Sequence, residues 1–408
     1  MSKDHESRGT PTMAALRMEA KRRILNFTPS WFSVNMGTGI VSILLYNLPY
    51  QFPGLKIVGI VVFCLNVVLF ISFLTMSILR YAIWPSVFTK MLHHSGQSLF
   101  LGTFPMGFAT IVNMIAFACV PNLAPRWLEL AWALWWIDSI IAVIIAIGVP
   151  YVMFTHHSHA LAGVTGVWLQ PSVATIVSSA TGAIIAEYLD PARAKIAVIA
   201  CYILFGMGFL PAVLIMANYF LRLAVHKSPP SALIVSTFLP LGPCGQGGFA
   251  LLRLSIVVRN LCINSGGTGT LTSSDLRAIG NAVYGASIPL VLVLWGFGLF
   301  WLVVALLTVI NLRLRENMKF NMGWWGFTFP IGVFATCTTQ LGTELDSSFF
   351  RVLGTILSCA VVALWIGVVL MTAKQAWSGE LFMAPCLGED EDGLLGKKCS
   401  RQSQASDA

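Results

Sequence analysis

Prolines recur inside hydrophobic stretches at Pro29, Pro105, Pro171, Pro240 and Pro330. Four of the five fall well within stretches of membrane length, whereas the intervening stretches 58–79 and 352–372 hold no proline. The chain thus alternates a broken, glycine-dotted helix with a plain apolar one, five times over. A proline deletes a backbone donor and frees a carbonyl one turn earlier, so each break leaves polar backbone at membrane depth. Lipid cannot satisfy such groups, which are tolerated only against protein or a watery cavity. Five of them imply a ring of helices around a path.

Hydrophobic residues fill 56% of the 408 positions, charged residues 10%, and mean hydropathy is +0.78. A soluble domain of this size cannot bury so much apolar surface, so the bilayer is the solvent. At about 20 apolar residues per crossing, ten spans are expected near 31–47, 57–79, 97–118, 127–153, 167–188, 194–223, 233–258, 280–311, 322–342 and 350–375. The expected fold is therefore an all-α integral membrane protein: ten transmembrane helices as five hairpins, the odd-numbered, proline-kinked helices lining a central pore. Short connections leave one transport domain, 29–376, between tails 1–28 and 377–408. The polar ends, 1–20 and 388–408, are rich in Ser, Asp, Glu and Gln and read as disordered.

The net charge of +8 raises the question of nucleic acid, but its distribution points to a membrane instead. With ten crossings both termini share one side, and 17 of the 25 lysines and arginines fall there, against seven opposite, with Arg253 inside a span. That bias places both tails in the cytoplasm. The run Arg17, Lys21, Arg22, Arg23 abuts the first span, where anionic headgroups lie. No nucleic-acid partner is expected. The nine cysteines show no CxxC; Cys119 and Cys262, near the same membrane face, are a conceivable pair with nothing in their spacing to demand it. The sequon Asn26-Phe27-Thr28 falls on the cytoplasmic side and is expected unmodified.

A block repeats. The third span carries Thr103-Phe104-Pro105-Met106-Gly107 and the ninth Thr328-Phe329-Pro330-Ile331-Gly332, each followed by Ala-Thr at Ala109-Thr110 and Ala335-Thr336. The fifth has Gln170-Pro171-Ser172, the seventh Leu239-Pro240-Leu241-Gly242 and then Gln246-Gly247, and the first Asn35, Gly37 and Thr38 after Pro29. Glycine and proline also serve tight helix packing in membranes, which is the plain alternative. Packing alone does not explain why the odd helices also hold most uncharged polar groups: Asn35, Thr38, Thr103, Gln170, Ser172, Gln246 and Thr336. An inner polar ring inside an outer lipid-facing ring accommodates both sets.

A wall of hydroxyls, amides and backbone with almost no carboxylate differs from the acidic rings that select cations. Arg253 either holds a positive potential for an anion, snorkels to the surface, or pairs with Asp138. Asp138 itself reads as an anchor of an outer helix. Phe104 and Phe329 precede their prolines at matching points. They are either packing aromatics or rings that close a narrow path by dewetting it. His156, His157 and His159 invite a metal reading, but a polar loop accounts for them, and an intramembrane metalloenzyme stays a remote alternative. The glycine-rich run 265–270 lacks the ending of a phosphate loop and reads as a connector.

These residues resemble the tellurite-resistance/dicarboxylate transporter family, which includes the slow-type anion channels. Within it they are most similar to the fungal sulfite efflux pumps. The supporting runs are FTPSWFSVNMGTGI from Phe27, GTFPMGFATIVN from Gly102, LWWID from Leu134, LGPCGQGGF from Leu241, WWGFTFPIG from Trp324 and FRVLGT from Phe350. The resemblance implies a homotrimer with a pore in each subunit, lined by helices 1, 3, 5, 7 and 9 and closed by a phenylalanine of the ninth. By position the gate is Phe329, with Phe104 its counterpart. It implies efflux of sulfite or bisulfite across the plasma membrane, with no enzymatic step and no cofactor. Malate, nitrate or chloride are the alternative cargoes. The expected path residues are Asn35, Gly37, Thr38, Thr103, Gln170, Ser172, Gln246, Gly247, Arg253 and Thr336.

Overall fold

Apolar runs in lipid can satisfy their backbone only as helices or closed barrels, and this chain takes the first course. The computed structural model describes residues 13–265, 271–388 and 391–395, which are helical with no sheet. The principal helices are α1 (Met13–Leu25), α2 (Phe32–Tyr46), α3 (Leu55–Ile83), α4 (Pro85–His93), α5 (Thr103–Met114) and α6 (Arg126–Thr155). There follow α7 (Gln170–Ala186), α8 (Pro191–His226), α9 (Leu241–Asn264), α10 (Ser273–Arg315), α11 (Thr328–Glu344), α12 (Ser348–Ser378) and the single turn α13 (Glu391–Leu394). Among the described residues eight are long and apolar enough to cross a bilayer, some counted with their flanking turns: α3, α5, α6, α7, α8, α9, α10 and α12. The expectation of ten spans is thus met for eight. The helices α2 and α11 are shorter, at 15 and 17 residues.

Packing explains the difference. Five sequential pairs lie against one another: α2 on α3, α5 on α6, α7 on α8, α9 on α10 and α11 on α12. The first members also pack in a circle, α2 on α5, α5 on α7, α7 on α9, α9 on α11 and α11 back on α2. Every residue of α7 is buried, whereas α3 exposes Ile57, Val61, Val68 and Ile71 by 58% or more. A helix enclosed by protein has no need of uniform apolarity. Hence α2 and α11 carry Asn35, Thr38 and Thr338 at no cost to lipid.

The five prolines do not bend helices in their middles. Each stands at a junction where a short 3₁₀ segment becomes α-helix. Pro29 opens the 3₁₀ turn Pro29–Trp31; Pro105 and Pro330 are third in α5 and α11, Pro171 second in α7, and Pro240 caps α9. In a first turn the missing N–H removes no helical bond. The repeated threonine completes the junction: Thr103 Oγ1 donates to the Phe100 carbonyl at 2.7 Å, Thr328 Oγ1 to that of Trp325 at 2.8 Å, and Thr237 Oγ1 to that of Ile234 at 2.7 Å. Mid-helix prolines occur instead in the outer helices, Pro150 in α6, Pro211 in α8 and Pro289 in α10, so breaks are not confined to the odd series.

The tails also depart from expectation. Helix α1 begins at Met13, inside the stretch read as disordered, and 391–395 pack beside it. Asn26 Nδ2 donates to Glu391 at 2.8 Å, and Asn26 Oδ1 accepts from the Ala384 amide at 2.9 Å. Leu25, Trp84, Val87, Leu387 and Leu395 form a small separate core there. Both tails therefore occupy one end of the bundle, here called the tail side. The run 266–270 and the positions 1–12 and 396–408 lie outside the described residues.

Candidate functional site: two chambers at the ends of a helical ring

Two cavities open at opposite ends of the circle of α2, α5, α7, α9 and α11. The tail-side chamber, about 830 Å³, is lined by the early residues of each: Ser33 and Met36, Met106, Gln170 and Val173, Leu239 and Gly242, Phe329 and Pro330. The far-side chamber, about 200 Å³, is lined by later residues: Ile43 and Asn47, Phe117, Phe249 and Arg253, Thr336, Thr339, Gln340 and Thr343. The helical register therefore leaves about two turns of ring between them.

Neither cavity reaches through that middle zone, where neighbouring helices of the ring pack tightly. A Cβ placed on Gly332 would stand 2.5 Å from the Ile40 side chain, so α11 meets α2 almost without a gap. One on Gly245 would stand 2.6 Å from Phe334 Cα, so α9 meets the α11 backbone. Small residues are the usual means of such approach in membranes. Phe329, 3% exposed, lies on the tail-side face of this constriction. Its neighbours do other work: Phe334 stacks on Trp295 at 5.6 Å, and Phe327 meets Phe238 at 5.1 Å. Phe104 packs edge-on to Phe32 at 4.9 Å and lies 5.5 Å from Phe70 of α3, and it lines neither chamber. The sequence pairs Phe104 with Phe329; the structure gives them different surroundings.

The expected path residues divide similarly. Gln170 faces the tail-side chamber with its Oε1 unpartnered, and Arg253 and Thr336 line the far-side one. Gln246 is buried within the closed zone and makes no hydrogen bond among the described residues. The others knit helices together. Asn35 Nδ2 donates to Asn66 Oδ1 of α3 at 3.1 Å, and Asn66 Nδ2 donates to Thr110 of α5 at 3.1 Å. Thr38 accepts from Trp365 Nε1 of α12 at 3.1 Å, and Thr103 also donates to the Pro29 carbonyl at 3.1 Å. Gly37 admits Trp325 and Thr328, Gly247 faces Phe209 of α8, and a Cβ on Gly208 of α8 would stand 2.4 Å from the Ser172 carbonyl oxygen.

Charge is placed at the margins. Arg253 Nη2 donates to Glu187 Oε2 at 2.7 Å, and Asp138 is not involved. Asp138 is fully buried and lines neither chamber. Arg80, also fully buried, donates through Nε to the Leu25 carbonyl at 2.8 Å and so ties α3 to α1. No sequence signal marks Glu187, because a single carboxylate at the end of a span has no motif. The same holds for Met36, Met106 and Val173, whose residue types are ordinary core filling.

The histidines pack in pairs, His156 on His93 at 4.6 Å and His157 edge-on to His159 at 5.4 Å. His159, in the loop after α6, is held below the usual histidine range by burial and then by His157. Among the described residues no group of three or more histidines, cysteines or carboxylates is arranged to hold a metal ion. Cys119 and Cys262 are both free thiols.

A family model described as "SLAC1: Voltage-dependent anion channel" matches residues 26–373. The chain is 45% identical to the sulfite efflux pump SSU1 of Arthroderma otae, over 89% of this chain and 96% of that protein. It is 46% identical to the sulfite efflux pump SSU1 of Trichophyton rubrum, over 88% and 93%. The malic acid transport protein of Schizosaccharomyces pombe is more distant, 24% identical over 91% of this chain and 82% of its own. With most of its length matched by the family model and by relatives near half identity, the chain belongs to the SLAC1 voltage-dependent anion channel family.

Proposed function

We propose that this protein exports sulfite or bisulfite across the plasma membrane through the ring of α2, α5, α7, α9 and α11. In this reading α2 and α11 cross the bilayer with the other eight, giving ten spans in five hairpins, and both tails are cytoplasmic. The assembly is a lipid-embedded homotrimer with one path per subunit. The observation that carries the proposal is the register of the ring: a chamber at each end and a closed zone between them. That is the form of an occluded conduit.

The path chemistry supports an anion. The tail-side chamber offers Thr28, Ser30, Ser33, Gln97 and Gln170, donors suited to an oxyanion that has shed part of its water. It contains little fixed charge, which favours a small anion over a dicarboxylate. The named activity of the relatives near half identity supports sulfite as the cargo. Phe329 is the gate in this proposal, because it alone of Phe327, Phe329 and Phe334 lines a chamber. Phe104, set among Phe32 and Phe70, is given a packing role. The polar groups of Asn35, Thr38 and Thr103 act at one remove, by holding the ring's helices in register. Transport needs no covalent step and no cofactor.

The test is flux into proteoliposomes of sulfite, malate, nitrate and chloride at two pH values. Sulfite is expected to move fastest, and Phe329→Ala to raise its flux several-fold with unchanged protein content. Flux of malate or nitrate exceeding that of sulfite reassigns the cargo. Wild-type flux in Phe329→Ala removes this ring from the gate.

A further inference from the structure

Among the described residues the far-side chamber is lined by one cation, and its bonding is incomplete. Arg253 gives Nη2 to Glu187 at 2.7 Å, while its Nε is buried with no acceptor. Its guanidinium carbon lies 5.9 Å from the Phe249 ring. A buried charged donor without an acceptor is costly. The cavity beside it, about 200 Å³, is large enough for a small hydrated anion. Its wall adds Thr336, Thr339, Gln340 and Thr343 of α11 and Asn47 at the end of α2. The opposing carboxylate is not free either, since Glu187 is spent on the same guanidinium.

We propose that the far-side chamber is a second oxyanion-binding station, in which the Arg253 guanidinium faces a small oxyanion while Glu187 moderates the charge. The inference rests on the anion-export reading and deepens it by assigning the exit step. An unpaired arginine in a half-enclosed site would hold an anion too firmly for release, because conduction requires binding that is weak enough to end. A fully neutralised one would offer nothing. The pair gives an intermediate strength. Glu187 occupies one end of the fork, and the transported anion takes the other without displacing it. Glu344 is held apart from this pair, accepting from Gln340 Nε2 at 2.8 Å and from the Tyr284 hydroxyl at 2.7 Å.

Equilibrium binding of radiolabelled sulfite to the purified, detergent-solubilised full chain tests this independently of flux. Glu187→Gln leaves Arg253 uncompensated and is expected to tighten binding about tenfold, the scale of one charge-assisted bond. In proteoliposomes the same variant should lower maximal sulfite flux. Arg253→Gln is expected to weaken binding about tenfold. The variants Glu187→Asp and Arg253→Lys serve if the glutamines unfold, each with the same sign and a smaller effect. Sulfite binding unchanged in both members of a folded pair overturns the station, whatever the flux. Wild-type protein that binds sulfite but moves no anion leaves the station standing and overturns the export reading instead.

Discussion

Gly245 decides how closely α9 approaches α11. The nearest atom to an added methyl is Phe334 Cα at 2.6 Å, a backbone atom that no side-chain rotation can move aside. Gly245→Ala must therefore separate two members of the ring. A cost of about 1–3 kcal/mol is expected, as for overpacked cores. It reads out as a lower thermal unfolding midpoint in detergent, with Gly285→Ala as control, because nothing lies within 4 Å of that position. An unchanged midpoint for Gly245→Ala means the ring is looser than its packing implies. The two phenylalanines of the repeat divide in the same manner. Phe329→Ala is expected to raise flux, whereas Phe104→Ala should lower stability and leave the gate intact, because its partners are Phe32 and Phe70. The repeat Thr-Phe-Pro was legible in the sequence as a special site, yet the role of each residue was not. Threonine closes the 3₁₀ turn, and the face on which phenylalanine emerges depends on the rotation of each junction. Neither is written in a three-letter block.

At the scale of elements, the helices were legible because their apolar runs are long, and the tail segment was not. Residues 379–388 and 391–395 hold only the short apolar run 381–387, too brief for a span, and nothing local announces that they cover Leu25, Trp84 and Val87. The deciding bonds join positions more than 350 apart in the chain, Asn26 with Glu391 and with the Ala384 amide. Asn26 is buried, and removing its amide leaves that backbone N–H without its acceptor. Asn26→Ala is therefore expected to raise amide hydrogen exchange across 380–395 by about tenfold, while α7 exchange stays slow. Exchange unchanged in the tail segment would show that the small core alone holds it. The prolines teach a related lesson. The sequence marks them as interruptions, but whether proline opens a helix or interrupts one depends on where the preceding turn begins. Pro171 opens α7, and Pro211 lies within α8.

For the whole molecule, the decisive property is that the circle of five helices closes within one chain, with α11 packed against α2. The alternation of polar and apolar helices made an inner and an outer set readable from sequence, because lipid and enclosed protein ask for different residues. The order of neighbours around the circle was not readable, since small residues such as Gly332 and Gly245 make contacts that no pattern assigns. A ring completed by a single chain needs no residue from another copy to form its path. If three such chains assemble, each conducts by itself. Co-reconstituting wild-type with Phe329→Ala protein at graded ratios tests this. Independent paths give sulfite flux that rises linearly with the mutant fraction. A shared path, or gates that open only together, gives a curve that stays near the wild-type level until mutant subunits predominate. Only the linear outcome agrees with conduits that lie one in each subunit and open independently.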